Sequence, residues 1–108
     1  MRSAVSIPPH RRPSTPGDFL RGYLDDPELA LTQGKLARCL GISRANLNAI
    51  INGKRSVTPA MAMRLERVLG VGMQTWLNLQ TAVDIYDVVH SEEAKAIAKL
   101  RPLRKPAA

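Results

Sequence analysis

Arg44, Asn46, Asn48 and Asn52 fall within nine residues of one another, with Ala45 and Ala49 interleaved. No acidic residue occurs between Glu28 and Glu66. These side chains share a chemistry. An arginine fork donates twice to the O6 and N7 of guanine, an asparagine amide matches N6 and N7 of adenine, and a small methyl suits the methyl of thymine. A second set surrounds the first: Thr32, Gln33 and Lys35 before it, Ser43 at its start, and Lys54 and Arg55 after it. Hydroxyl, amide and cationic groups of this kind bind phosphate oxygens, helped by free backbone N–H groups at a helix start. Catalytic chemistry has no comparable support. His10 and His90 stand eighty residues apart. Neither has a carboxylate pair, a Cys–His dyad or metal-ligand spacing beside it. Asp25 and Asp26 are chain neighbours suited to ending a helix. The seven glycines are isolated or at helix boundaries, not gathered in a phosphate loop. The expectation is no enzyme, no catalytic or metal-ligating residue, no cofactor and no small-molecule substrate.

The charge follows the same segment. Sixteen Lys and Arg against nine Asp and Glu give the 108 residues a net +7. Residues 32–70 hold Lys35, Arg38, Arg44, Lys54, Arg55, Arg64 and Arg67 against Glu66 alone, a net +6. Such a block points to a polyanionic partner. The chain has the length of one domain. Apolar residues at 44%, with only four aromatics, make a modest packed core. Cys39 is the single cysteine, which excludes an internal disulfide and a cysteine-rich zinc site; a small buried hydrophobe is the expectation for it. No apolar run approaches the ~20 residues of a membrane span. The opening MRSAVSIPPHRRP lacks the apolar stretch of a secretory signal. A cytoplasmic location without a membrane partner is the default.

These residues need elements to hold them. Residues 1–14, rich in proline and serine, read as a flexible lead-in. Residues 15–90 read as one helical domain, and 91–108 as an extension with a weak amphipathic helix near Ser91–Leu100 and then a loose tail. Thr15-Pro16-Gly17-Asp18 opens a first helix with a cap, a proline and an acid at the positive end of the dipole. Thr32 caps a second helix over about 33–40, and Gly41 stops it in the left-handed conformation. Ser43 caps a third, about 44–51, with Leu47, Ile50 and Ile51 inward. Thr58-Pro59 opens a fourth, 59–69, with Met61, Leu65, Val68 and Leu69 inward and Arg64 and Arg67 outward. Gly72 starts a long fifth helix reaching about residue 89. No alternating pattern flanked by hairpin turns competes, so the class is all-α with five helices.

The second and third helices meet across Gly41-Ile42-Ser43. Ala37 is small where they must approach, and Ile42, Leu47 and Ile50 fill the angle between them. This is a helix-turn-helix, whose second helix enters the major groove of DNA. At ~100° per residue, Ala45, Ala49 and Asn52 point most directly away from the core. Asn46 and Asn48 lie on the flanks, and Arg44 projects from the helix start.

In these residues the sequence resembles the XRE-type helix-turn-helix family and, more narrowly, the HigA-type antitoxins of bacterial toxin–antitoxin pairs. The likeness lies in His10-Arg11-Arg12-Pro13, Pro16-Gly17-Asp18, Leu40-Gly41-Ile42-Ser43, Ile51-Asn52-Gly53-Lys54-Arg55 and Thr58 to Leu65. Trp76-Leu77-Asn78-Leu79-Gln80 and Asp84-Ile85-Tyr86 complete it. Gly34 and Gly72 depart from the family pattern without removing a DNA-facing group. The resemblance implies a lambda-repressor-like DNA-binding domain. It also implies a homodimeric repressor of its own operon that binds double-stranded operator DNA and neutralises a HigB-type, mRNA-cleaving toxin protein.

The fifth helix carries two apolar stripes. Trp76, Leu79, Val83 and Tyr86 suit the core. Leu77, Ile85 and Val88, with Thr81, suit either a second copy of the chain or a cover from the first helix or residues 92–100. A dimer would set two reading helices about 34 Å apart, one DNA turn. A stand-alone repressor without a toxin shares all the DNA chemistry, and the neighbouring reading frame separates the two. A protein-interaction module that has lost DNA binding fits poorly with the basic block.

Overall fold

The computed structural model describes residues 11–103. His10, most of the lead-in and the end of the C-terminal extension lie outside the described residues. Six helices follow in order: α1 Pro16–Asp25, α2 Gln33–Leu40, α3 Arg44–Ile51, α4 Pro59–Leu69, α5 Met73–Val89 and α6 Glu92–Ile97. Among the described residues there is no strand. The sixth, a short helix capped by Ser91, falls within Ser91–Leu100 and buries none of its residues.

Local chemistry sets the boundaries. Thr15 Oγ1 accepts from the Asp18 N–H at 3.0 Å, and the Asp18 carboxylate accepts from the Thr15 N–H at 3.0 Å. Two of the unpaired donors at the start of α1 are thereby satisfied. Thr32, Ser43 and Thr58 cap α2, α3 and α4 in the same sense, accepting from Lys35, Asn46 and Met61 at 3.1, 3.0 and 3.2 Å. Gly41 at φ 71° ends α2 in the left-handed region, which leaves room for only Ile42 and Ser43 before α3.

One apolar cluster binds the helices. Leu20 of α1, Leu36, Ala37 and Leu40 of α2, and Leu47, Ile50 and Ile51 of α3 meet Val57, Met61, Ala62, Leu65 and Trp76. Trp76 is wholly buried, and its indole N–H donates to the Val71 carbonyl at 3.1 Å, so its burial leaves no orphaned donor. Phe19 meets it edge-on. α1 packs on α3 and α5, α2 on α3 and α4, and α4 on α5. The effect is to wedge α3 between α1 and α2 with its remaining side outward.

At Gly17, α1 lies against the end of α3 with no room for a side chain. A Cβ there would stand 2.2 Å from the Ile51 carbonyl oxygen and 2.9 Å from that of Ile50. Gly22, in the same helix, would meet nothing within 4 Å. Gly22→Ala is therefore expected to stabilise the domain by about 0.5–1 kcal/mol, because glycine loses more backbone freedom than alanine in a helix. A urea unfolding curve with a raised midpoint and unchanged slope is the expected result; a lowered midpoint contradicts it.

Cys39, Val68 and Arg64 are placed differently from the sequence expectation. Cys39 is exposed, since the buried arc of α2 is limited to Leu36, Ala37 and Leu40. Beside it runs an open groove between α2 and α4, lined by Met63 and Val68 among others, which also leaves Val68 exposed. Arg64 does not simply project outward. It bends back to donate to the Leu40 carbonyl at 2.7 Å, where α2 ends with unsatisfied acceptors and partial negative charge.

On α5, Trp76 and Val83 are buried. Leu77 is half-buried and packs against the core cluster, so the outer stripe that stays open consists of Thr81, Ile85 and Val88. Ile85 is 52% and Val88 43% exposed.

Candidate nucleic-acid interface

The outer side of α3 is open. Ser43, Arg44, Ala45, Asn48 and Asn52 are exposed and Asn46 is half-buried; Ala49, which helical phase points directly outward, is half-buried as well, and Asn48, expected on a flank, is more open. Leu47, Ile50 and Ile51 anchor the opposite side at 3% exposure or less. A short helix thus has its oily side held and its alanine-and-asparagine side free. The small side chains of Ala45 and Ala49 keep the outer surface low, so a base edge can approach closely.

The phosphate-type residues surround this surface. Thr32, at the start of α2, accepts the Lys35 N–H at its hydroxyl oxygen and keeps its O–H to donate, beside the exposed Lys35 and the half-buried Gln33. Ser43 caps α3 in the same way. Lys54 and Arg55 stand exposed on the loop after α3. That loop is held at both ends. The Lys54 and Arg55 N–H groups both donate to the Ala49 carbonyl, at 2.8 and 3.2 Å, with Gly53 at φ 74° making the turn. At its far end the Val57 N–H donates to Gln80 Oε1 at 2.8 Å. Among the described residues, Lys35, Arg44, Lys54 and Arg55 form no ion pair with a carboxylate. Their charge is uncompensated by a carboxylate and available to an anion.

The amides are not loose. Asn48 Nδ2 donates to Gln33 Oε1 at 3.2 Å, joining the start of α2 to the middle of α3. Asn52 Nδ2 donates to Asn48 Oδ1 at 3.1 Å. Arg21, on α1, donates to Asn52 Oδ1 at 3.0 Å. On the other flank Arg55 donates to Asn46 Oδ1 at 3.1 Å. Arg44 alone of the base-type polar residues has no such partner among the described residues.

Several residues that shape the surface escape sequence reasoning. Arg21 and Gln80 act across elements that lie far apart in the chain. Arg12 does likewise: its guanidinium grips the Asp87 carboxylate with two bonds of 2.8 Å, tying the start of the described chain to α5. That hydrogen bond, aided by the opposite charge, lowers the Asp87 pKa below the ordinary carboxylate range and raises that of Arg12. Their presence in the quoted motifs was the one available signal for Arg12 and Gln80. Arg21 had none.

A family described as helix-turn-helix matches residues 23–76. An uncharacterized HTH-type transcriptional regulator of Escherichia coli (strain K12), YbaQ, is 42% identical over 79 residues, which cover 72% of this chain and 68% of the relative. Antitoxin HigA-1 of Vibrio cholerae is 35% identical over 92 residues, covering 83% and 86%. The solved structure of Pseudomonas aeruginosa antitoxin HigA with the higBA promoter superposes with a TM-score of 0.74 at 30% identity, covering 86% of this chain and all of that one. Among the described residues no helix is long and apolar enough to cross a membrane.

Proposed function

Because the chain belongs to the helix-turn-helix family of non-enzymatic regulators that includes the HigA antitoxins, we propose that it reads double-stranded operator DNA with the outer side of α3. The observation that carries this is the combination on one short helix of a buried anchor and an acid-free, amide-rich exposed side, flanked by cations without carboxylate partners. The likeness to Pseudomonas aeruginosa HigA, solved with promoter DNA, supports the same role.

In this reading Arg44, Ala45, Asn46, Asn48, Ala49 and Asn52 meet base edges. Thr32, Gln33, Lys35, Ser43, Lys54 and Arg55 meet the backbone, through side chains or the N–H groups they expose. Two copies pair through the open stripe of Thr81, Ile85 and Val88 on α5, with Leu77 at its inner margin. Two α3 helices about 34 Å apart then face successive major grooves. The dimer represses its own operon and holds a HigB-type toxin inactive. A second reading is a stand-alone repressor with no toxin. The likeness to YbaQ, described as an uncharacterized HTH-type transcriptional regulator, is in keeping with it. Co-expression with the product of the neighbouring reading frame separates the two: the antitoxin reading expects a co-purifying complex and restored growth, and the repressor reading expects neither.

Backbone and base contacts have different signatures. Lys54→Ala is expected to weaken all duplexes alike and to reduce the slope of log affinity against log salt by about one, since one phosphate contact releases one counterion. Fluorescence anisotropy on operator and scrambled duplexes at several salt concentrations measures it. Loss confined to the operator would place Lys54 on a base instead.

A further inference from the structure

Arginine has donors and no acceptor. The group it touches on an asparagine must therefore be the oxygen, and that choice fixes which way the amide faces. Arg21 holds the Asn52 oxygen, so the Asn52 NH2 is left to meet Asn48 and takes its oxygen. The Asn48 NH2 is then left to meet Gln33 and takes its oxygen in turn. Arg55 does the same to Asn46 in one step. All four side-chain amides on this surface have their oxygens engaged by donors of the protein itself. Each oxygen has one of its two lone pairs spent inside the protein, whereas amide N–H groups are spent only at Asn48 and Asn52, so what the surface mostly offers a ligand is N–H, and Arg44 adds more.

We propose that Arg21, and Arg55 on the opposite flank, are positioning residues that polarise these amides, so that the surface presents donors and selects base edges that are acceptors. Guanine offers two acceptors in the major groove, N7 and O6, whereas adenine and cytosine each present an amino donor there. The preference accordingly moves from the adenine pairing otherwise natural to asparagine toward guanine. Arg21 need not touch DNA to do this. It lies on α1, half exposed, and is braced by Asp18 at 3.2 Å, which keeps the guanidinium at Asn52. The inference rests on the DNA-reading role of α3.

The test is selection from a pool of randomised double-stranded DNA by the full chain and by Arg21→Met and Arg21→Lys, with circular dichroism confirming that each variant is folded. The wild type is expected to select a sharp, guanine-containing site. Arg21→Met is expected to lose discrimination by about 5-fold or more at particular base pairs, the scale of one bidentate base contact. Arg21→Lys, still an obligate donor, is expected to keep it. A sharp wild-type site selected equally sharply by Arg21→Met, with only total affinity reduced, makes Arg21 a phosphate contact and overturns the inference alone. A wild-type site in which adenine takes the place of guanine also overturns it. So does an Arg21→Lys profile as flat as that of Arg21→Met. A wild type that selects nothing overturns the DNA reading and this inference with it.

Discussion

Gly17→Ala is expected to destabilise the domain by about 3 kcal/mol or more, a large share of the roughly 5–15 kcal/mol of an ordinary domain. All three atoms nearest to the added methyl are backbone: the Ile51 oxygen at 2.2 Å, the Ile51 carbonyl carbon at 2.8 Å and the Ile50 oxygen at 2.9 Å. A side chain turns aside at modest cost, but backbone carbonyls at the end of a packed helix do not. Relief requires α1 to lift from α3, which uncovers Leu20 and pulls Arg21 from Asn52. The intrinsic preference of helices for alanine works the other way and is too small to compensate. Gly22→Ala, five residues on in the same helix, is the matched control with the opposite expected sign. Urea denaturation of the pair checks the claim; a loss below about 1 kcal/mol at Gly17 would mean that the α1–α3 approach is looser than described.

The second large effect concerns DNA. Arg44→Ala and Asn48→Ala are expected to weaken operator binding by about 1–3 kcal/mol each, with relaxed base preference and little change in folding stability. Both side chains are exposed, so truncation opens no cavity in the core. The two effects differ in kind. Arg44 has no internal partner and acts as an independent donor. Asn48 stands in the middle of the amide chain, so its loss also frees Gln33 and Asn52. Coupling between Asn48 and Asn52 is expected in a double-mutant cycle, and near-additivity between Arg44 and Asn48. Gel-shift titration of the single and double variants measures all of this. Unchanged affinity in both single variants would remove α3 as the reading helix.

Much of this frame was legible in the chain because its signals are local. Thr15, Thr32, Ser43 and Thr58 act on N–H groups three residues away, and the left-handed end at Gly41 needs only the absence of a Cβ. The inward positions of Leu47, Ile50 and Ile51 follow from helical spacing alone. What stayed hidden depends on distances between elements. Cys39 shares the phase of Leu36 and Leu40, but whether it is covered depends on how closely α4 approaches, and a groove opens there. Arg64 points outward by phase, yet its long stem reaches the end of α2. Gly17 reads as an ordinary helix-start residue until the end of α3 is placed against it. The link from Arg21 to Asn52 spans 31 positions of sequence, and no spacing rule reaches that far. The candidate reading residues were therefore identifiable one by one, whereas the polarity that the network imposes on them was not.

Methylation protection at guanine N7 tests the major-groove assignment most directly, because N7 lies on the major-groove edge of the base. On a duplex of the chain's own promoter, two clusters of protected guanines about one helical turn apart are expected. Protection is expected to fade in the Arg44→Ala variant. Binding to that promoter with every guanine N7 left reactive, or with protection indifferent to Arg44, would contradict it.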